Sequence, residues 1–133
     1  MSDDATTVGE LRRLVADFVA QRQWQCYHDP KNLAMSVAIE AAELMEHFQW
    51  VRNEELGELL ERAEARAAIR DEVADVLCYV LALANVLALD LSSALADKMR
   101  RNAAKYPVEQ FRGRYFKPAG EQRAAAGPTS APA

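Results

Sequence analysis

The stretch DEVADVLCYVLALA, residues 71–84, decides the fold. Between Val73 and Leu89 only Asp75 and Asn85 are neither apolar nor aromatic, so apolar side chains cover nearly the whole circumference of a helix. A helix that is apolar on every side is buried on every side. In a chain of 133 residues one bundle can rarely cover every face of such a helix, and a partner subunit is the natural cover. The stretch therefore predicts the central helix of an all-α bundle that is completed by homo-oligomerisation.

Helical periodicity continues on both sides of this stretch, and no strand pattern interrupts it. Thr7 and Glu10 have the spacing of a capping box, which begins the first helix, and Asn32 is a candidate cap for the second. Pro107 ends the last predicted helix. The bundle of about four to five helices is predicted to span residues 7–23, 32–48, 54–63, 64–88 and 91–105.

Composition and charge agree with one helical domain. Hydrophobic residues make up 50% of the chain and charged residues 27%, while Gly and Pro number only five each, a bias that favours helix. We predict a domain over residues 1–117 and a disordered C-terminal tail over 118–133, where Ala, Gly, Pro and Ser dominate. The segment Lys98–Arg123 is basic and the rest is acidic. This distribution suits carboxylates at a metal and cations near phosphates, or equally a solvated surface with a basic tail.

The sequence favours a cytoplasmic protein. The acidic, polar N-terminus is not a secretory signal, and the two cysteines, Cys26 and Cys78, form no CxxC motif. The longest apolar run, Val76–Leu89, is shorter than the about 20 residues of a membrane span, so we expect no membrane association. We also expect no nucleic-acid binding, because the basic segment lies mostly in the predicted tail.

Two pairs of carboxylates interrupt apolar surroundings. Glu40 and Glu43 lie on the second predicted helix, and Glu72 and Asp75 lie near the start of the apolar part of the central one. The members of each pair are three residues apart and therefore share a helix face. An ionised carboxylate in apolar surroundings is costly unless a cation or a metal compensates it. The pairs predict a metal site, and the alternative is four solvated acids on helix surfaces.

Four carboxylates without cysteine form a hard oxygen site, which suits Mg²⁺, Mn²⁺ or Ca²⁺. Mg²⁺ typically combines protein carboxylates with substrate phosphates, so the site points to phosphate chemistry. A di-iron carboxylate bundle would need Glu-x-x-His on two helices. The chain has only His28 and His47, and Leu44 stands three residues before His47, which excludes that class.

The motifs together resemble the MazG-like all-α nucleoside triphosphate pyrophosphohydrolases, in particular the dCTP pyrophosphatase branch. The acid pairs match the ExxE…ExxD signature of that family, and the resemblance extends over roughly residues 11–117. The blocks that carry it are WQCYHDPKNLAMSVAIEAAELMEHFQW (24–50), DEVADVLCYVLALA (71–84) and KMRRNAAKYP (98–107).

The resemblance implies Mg²⁺-dependent hydrolysis of a nucleoside triphosphate to the monophosphate and pyrophosphate, with Mn²⁺ able to substitute. It also implies an intertwined homo-oligomer, a dimer or a tetramer. By position, the catalytic and metal-binding residues would be Glu40, Glu43, Glu72 and Asp75. The substrate contacts would be Trp24, His28, Lys31, Asn32, Trp50, Tyr79, Lys98, Asn102 and Lys105.

Several alternatives stay open at this point. Instead of contacting a substrate, Trp24 and Trp50 could serve as packing residues between helices, and His28 could serve only to fix its loop. Some members of the dCTP branch carry a polar residue where this chain has Val15, and if that residue reads the base, selectivity is altered or relaxed here. Base, sugar and the general base among the acids remain open. A non-catalytic oligomeric interaction or regulatory module that keeps the fold is the alternative function.

Overall fold

The structure is a computed structural model that describes residues 1–113. Within them it contains six α-helices, two short 3-10 turns and no strand, which confirms the all-α prediction. The predicted disordered tail, 118–133, lies outside the described residues. The helices are α1 (Val8–Gln21), α2 (Pro30–Glu46), α3 (Leu56–Glu61), α4 (Ala63–Val86), α5 (Leu91–Lys105) and α6 (Val108–Phe111), and the 3-10 turns are Trp24–Tyr27 and Asn53–Glu55.

The first helix begins as its sequence predicts. The Thr7 hydroxyl accepts a hydrogen bond of 3.2 Å from the Glu10 amide, and the Glu10 carboxylate accepts one of 2.7 Å from the Thr7 amide. This is the predicted capping box, and it satisfies amide groups that the first turn of a helix leaves without partners. The helix ends at Gln21, and Gln23 then adopts a left-handed backbone with φ 54°.

The second helix begins two residues earlier than predicted, and Asn32 is not its cap. Asp29 takes that role, since its side chain accepts a 2.9 Å hydrogen bond from the Asn32 amide. Pro30 explains the difference. It fits the first helical position, because it needs no amide partner there, and it holds Asp29 in the extended conformation that a cap requires (φ −77°, ψ 157°).

Helices α2 and α4 pack antiparallel in the unit formed by Met1–Leu91. Leu33, near the start of α2, meets Leu81 and Ala82 near the end of α4, and Val15 of α1 completes this core. At the other end of the pair, acids of α2 meet an acid of α4. The two acid pairs that are far apart in the sequence are thereby brought to one end of the helix pair.

The apolar surface of α4 is only partly covered within one chain. In residues 1–113 five hydrophobic side chains are buried: Val15, Leu33, Leu81, Ala82 and Ala84. Val73 remains 50% exposed and Leu77 46% exposed, although both belong to the stretch whose pattern predicts complete burial. No single helix in the described part of the chain is long and apolar enough to cross a membrane; α4 and α5 meet that criterion only jointly, as a pair broken by a bend.

A Schellman motif ends α4. Ala88 has a left-handed backbone with φ 51°, and the Leu89 amide donates to the carbonyl of Ala84 at 2.9 Å. The guanidinium of Arg12, on α1, donates one hydrogen bond to the Ala84 carbonyl at 3.3 Å and another to the Leu89 carbonyl at 2.6 Å. The end of α4 is therefore held by its own backbone and by α1 together.

The described residues from Ser92 to Gly113 belong to a second compact unit. Within it, the ring of Tyr106 meets the ring of Phe111 edge-on, with 5.2 Å between their centroids, and the Lys105 ammonium lies 5.1 Å from the Tyr106 centroid. These contacts join the end of α5 to α6 across Pro107.

Candidate functional site

Three of the four predicted metal ligands form one cluster. Glu40 and Glu43 of α2 and Glu72 of α4 each offer a carboxylate oxygen, and these oxygens all lie within 4.8 Å of one another. Glu40 and Glu72 are half-buried, while Glu43 is exposed. The antiparallel packing of α2 on α4 produces this meeting, because it places the end of one helix beside the start of the other.

The electrostatics of Glu40 reflect the crowding. Its pKa is raised above the usual value, first by loss of solvent and then by the negative charges of Glu43, Asp75 and Glu72. Like charges and desolvation both disfavour the ionised form of a carboxyl. Asp75, although it lies outside the group of three, is therefore close enough to act on the same carboxylate. The four acids form one electrostatic unit that a cation would stabilise.

Asp75 also lies in the wall of a cavity of about 520 Å³ between α1 and α4. The other lining residues are apolar or aromatic: Leu11, Leu14, Val15, Phe18, Ala74, Leu77, Cys78 and Leu81. Burial, followed by the charges of Asp75 and Glu40, raises the pKa of the Cys78 thiol. The cavity thus joins an apolar space, large enough for a planar ring, to the edge of the acid cluster.

Trp24, a predicted substrate contact, touches Phe18, which is one of the residues that line this cavity. Its ring meets that of Phe18 edge-on, with centroids 5.9 Å apart and planes inclined at 74°. The Arg22 guanidinium lies over Phe18, 3.6 Å from the ring centroid. Sequence reasoning missed Phe18 and Arg22, although their spacing of four residues places them on one face of the predicted first helix, 7–23, and could have indicated the contact.

The remaining predicted contacts of the first unit are dispersed. Tyr79 packs against the hydrophobic core, and Trp50, which follows the end of α2, is 86% exposed. His28 lines a different cavity, of about 350 Å³, between α1 and the C-terminal half of α4. Lys31 is exposed in the first turn of α2, while the Asn32 side chain donates to the Tyr27 carbonyl at 3.3 Å.

Three predicted phosphate or sugar contacts belong to the second unit. Lys98, Asn102 and Lys105 all lie on α5. Lys98 and Lys105 are exposed and Asn102 is half-buried. Their spacing of four and three residues puts them on one face of that helix.

The donor set fits a hard divalent cation. It offers carboxylate oxygens from two helices and neither thiolate nor imidazole, which is the ligand chemistry that Mg²⁺ and Mn²⁺ prefer. Exposure of Glu43 and Asp75 leaves the solvent side open to an oxygen atom of an anionic ligand. The arrangement can therefore hold a cation between protein carboxylates and an anionic ligand.

A sequence profile of the MazG-like family matches residues 35–115, which include all four acids. The chain belongs to the MazG-like family. This membership agrees with the resemblance that the sequence motifs indicate and with the all-α architecture. The matched span begins within α2 and contains the rest of that helix and all of α4.

Named relatives of this MazG-like chain include pyrophosphatases. It is 41% identical over 107 residues to dCTP pyrophosphatase 1 of Bos taurus, in a match that covers 80% of this chain and 63% of that one. For the Homo sapiens protein of the same name the identity is 40%, with 80% and 62% covered. The matched part thus spans less than two thirds of the length of these relatives.

A solved structure shares the fold over nearly its full length. The crystal structure of a pyrophosphatase from Archaeoglobus fulgidus superposes with a TM-score of 0.71 at 41% sequence identity. The match covers 80% of this MazG-like chain and 98% of the archaeal one.

Proposed function

We propose that this chain hydrolyses a nucleoside triphosphate between the α and β phosphates, releasing the monophosphate and pyrophosphate. The observation that carries the proposal is the connection between the acid cluster and the apolar cavity. Asp75 belongs electrostatically to the cluster and also lines the cavity. A triphosphate at the carboxylates can therefore extend its nucleoside toward the cavity. The pyrophosphatases among the relatives support the same reaction class.

In this proposal Glu40, Glu43, Glu72 and Asp75 hold Mg²⁺, for which Mn²⁺ can substitute. When bound, the cation neutralises phosphate charge and favours formation of the attacking nucleophile from water. The carboxylates hold their positions because α2 and α4 are packed along their length, and one of them accepts the proton of the water. The apolar cavity excludes water from the nucleoside end.

Substrate contacts are proposed for the predicted residues on both units. Lys98, Asn102 and Lys105 contact the phosphates or the sugar, since lysine supplies a point charge to phosphate oxygens. The predicted contacts nearer the nucleoside are Trp24, His28, Lys31, Asn32, Trp50 and Tyr79. We propose dCTP or a related or modified pyrimidine nucleotide as substrate, because the named relatives are dCTP pyrophosphatases. The corresponding role is the sanitation of a cytoplasmic nucleotide pool.

We further propose a homo-oligomer, a dimer or a tetramer, as the active form. Leu77 at 46% exposure, Leu14 at 55% and Ile39 at 53% leave α4, α1 and α2 with apolar surface that one chain does not cover. Burial of such surface is the main driving force of association. Light scattering at low micromolar concentration tests this directly, and a well-folded monomer there would contradict it.

Pyrophosphate release is the deciding measurement for the reaction. The chain is incubated with a panel of canonical and modified nucleoside and deoxynucleoside triphosphates, with Mg²⁺ or with a chelator. We expect pyrophosphate and the monophosphate in equal amounts, only when the divalent cation is present, and fastest with a cytosine nucleotide. Release of orthophosphate would place the cleavage at another bond. No turnover across the panel would favour the non-catalytic oligomeric module.

A further inference from the structure

Arg22 makes two contacts with one residue, Phe18. Its guanidinium carbon lies 3.6 Å from the centroid of the Phe18 ring, and its Nη1 donates a hydrogen bond of 3.1 Å to the Phe18 carbonyl. A cation over an aromatic face at this distance is attracted by the ring quadrupole. The hydrogen bond fixes the guanidinium to the backbone of the helix that carries the ring. Arg22 therefore restricts the orientation of the Phe18 side chain.

The restricted ring contacts two further parts of the molecule. Phe18 meets Trp24 edge-on at 5.9 Å, and it lines the cavity that Asp75 also lines. The left-handed backbone of Gln23 turns the chain between Arg22 and Trp24, which lets the second ring return to the first. Arg22 also lies 5.9 Å from the Trp24 ring centroid, so one cation contacts both rings.

Neither ring is held by burial. Phe18 is 47% exposed and Trp24 is 43% exposed, so packing alone leaves each side chain conformational freedom. Within residues 1–113 Arg22 forms no ion pair with an acid, and its ring contacts and its carbonyl hydrogen bond are what locate it. Ordering a half-exposed side chain costs conformational entropy. If the side chain becomes ordered only when the ligand binds, this cost reduces the binding free energy, and the ligand binds more weakly.

We propose that Arg22 is a positioning residue for nucleoside binding, which holds Phe18 and Trp24 as an ordered aromatic pair beside the cavity. This inference rests on the proposed function and adds to it a residue that acts through the ring pair. The ligand it serves is the planar base of the nucleotide, whereas the phosphates are served by the acid cluster and its cation.

The test compares Arg22→Met and Arg22→Lys with the matched control Arg13→Met. Arg13 is an exposed arginine on α1, the helix that ends one residue before Arg22. In Arg22→Met the KM for the nucleoside triphosphate should rise by about three- to thirty-fold, the range that loss of one such cation–π contact supports, while kcat stays within about two-fold. Arg22→Lys should recover part of the KM because it keeps a cation. Arg13→Met should behave like the parent.

Inorganic tripolyphosphate with Mg²⁺ separates positioning from direct phosphate contact. As an inhibitor it probes the phosphate site without a base, so its inhibition constant should be unchanged in Arg22→Met. A parallel weakening of tripolyphosphate and nucleotide would mean that Arg22 contacts phosphate, and the positioning role would be overturned.

Trp24 fluorescence provides a measurement that needs no turnover. In a Trp50→Phe background, where Trp24 is the remaining tryptophan, Arg22→Met should shift the emission of the nucleotide-free protein, since the cation beside the ring is lost. Unchanged emission would overturn the proposal. If the parent protein releases no pyrophosphate, the proposed reaction fails by itself. The emission of Trp24, together with the binding of the nucleotide and of tripolyphosphate, then still decides the role of Arg22.

Discussion

Arg12 on α1 and Asn85 on α4 are joined by two hydrogen bonds, one donated by each side chain. Nε of Arg12 donates a 2.8 Å hydrogen bond to Oδ1 of Asn85, and Nδ2 of Asn85 donates a 2.9 Å hydrogen bond to the Arg12 carbonyl. Asn85 is one of the two residues that break the apolar run of α4, and this contact explains why a polar group is accommodated there. The pair joins α1 to the end of α4.

Replacing Arg12 should destabilise the fold. In Arg12→Met, Oδ1 of Asn85 loses the donor that Nε of Arg12 provides, and the carbonyls of Ala84 and Leu89 lose a charged donor. Hydrogen bonds to charged groups contribute about 1.5–3 kcal/mol each at most, so we expect a loss of about 2 kcal/mol in the free energy of unfolding. Urea denaturation measures it, and Arg13→Met is the control. Equal midpoints for the two variants would show that the Arg12 contacts contribute nothing.

Glycine at position 88 should stabilise the protein. Ala88 is exposed and has φ 51°, a region that costs a residue with a Cβ about 1–2 kcal/mol, while glycine adopts it freely. Allowing for the greater freedom of glycine in the unfolded chain, we expect Ala88→Gly to gain up to about 1 kcal/mol. The matched control is Ala94→Gly, within α5, where helix propensity predicts a loss of about 1 kcal/mol. Thermal unfolding measures the stability of both variants relative to the parent. A lower stability of Ala88→Gly would contradict the strain assigned to Ala88.

Removing one carboxylate should have opposite effects on activity and on metal-free stability. Glu43→Gln keeps the shape but removes a charge from the cluster, so we expect turnover to fall by on the order of 100- to 1,000-fold or more. Its melting temperature without metal should hold or rise, and the increase on adding Mg²⁺ should shrink.

Glu46→Gln is the control for this variant, because Glu46 is exposed one step further along α2 and belongs to no metal cluster in the described chain. Activity and melting temperature are measured with and without Mg²⁺ for both proteins. Identical behaviour of the two variants would leave the acids as solvated surface charges.

The raised pKa of Glu40 predicts a pH dependence of stability without metal. A carboxyl with a folded-state pKa above its unfolded value contributes stability that is present below the unfolded value of about 4.5 and is lost as pH rises through the folded pKa. Glu40→Gln cannot ionise, so at neutral pH and without metal it should be more stable than the parent.

That advantage of Glu40→Gln should shrink as the pH falls and disappear below about 4.5, where the parent carboxyl becomes protonated in both the folded and the unfolded state. Urea unfolding at a series of pH values, in the presence of a chelator, measures the difference between the two proteins. A parent that is the more stable of the two at neutral pH would contradict the assigned cause.

Local signals in the sequence predicted most of the fold, and contacts between distant segments account for what it missed. The capping box of Thr7 and Glu10 acts within four residues, so its pattern alone is sufficient. At the start of α2, Asn32 and Asp29 are both good caps, and the preference of Pro30 for the first helical position decides between them. The cation over Phe18 depends on a turn at Gln23, whose left-handed backbone no glycine or asparagine signals.

In the candidate site, too, the sequence predicts the local features, whereas contacts between distant segments determine the rest. Spacing of three residues predicts that each acid pair shares a helix face, but the meeting of Glu40 with Glu72 depends on the register between two helices. The apolar run of α4 predicts burial, yet a single chain leaves Leu77 46% exposed, because the pattern describes the whole environment of the helix and not one chain alone.

The antiparallel packing of α2 on α4 also shapes the route by which the chain folds. Twenty-eight residues separate Glu43 from Glu72, so the two acid pairs come together only when the helices dock. In the metal-free chain this docking step brings like charges together and is opposed by their repulsion. Added monovalent salt screens that repulsion, and the refolding rate should therefore increase with ionic strength. In the metal-free chain, the acids of the proposed metal site are therefore expected to slow the docking of α2 on α4.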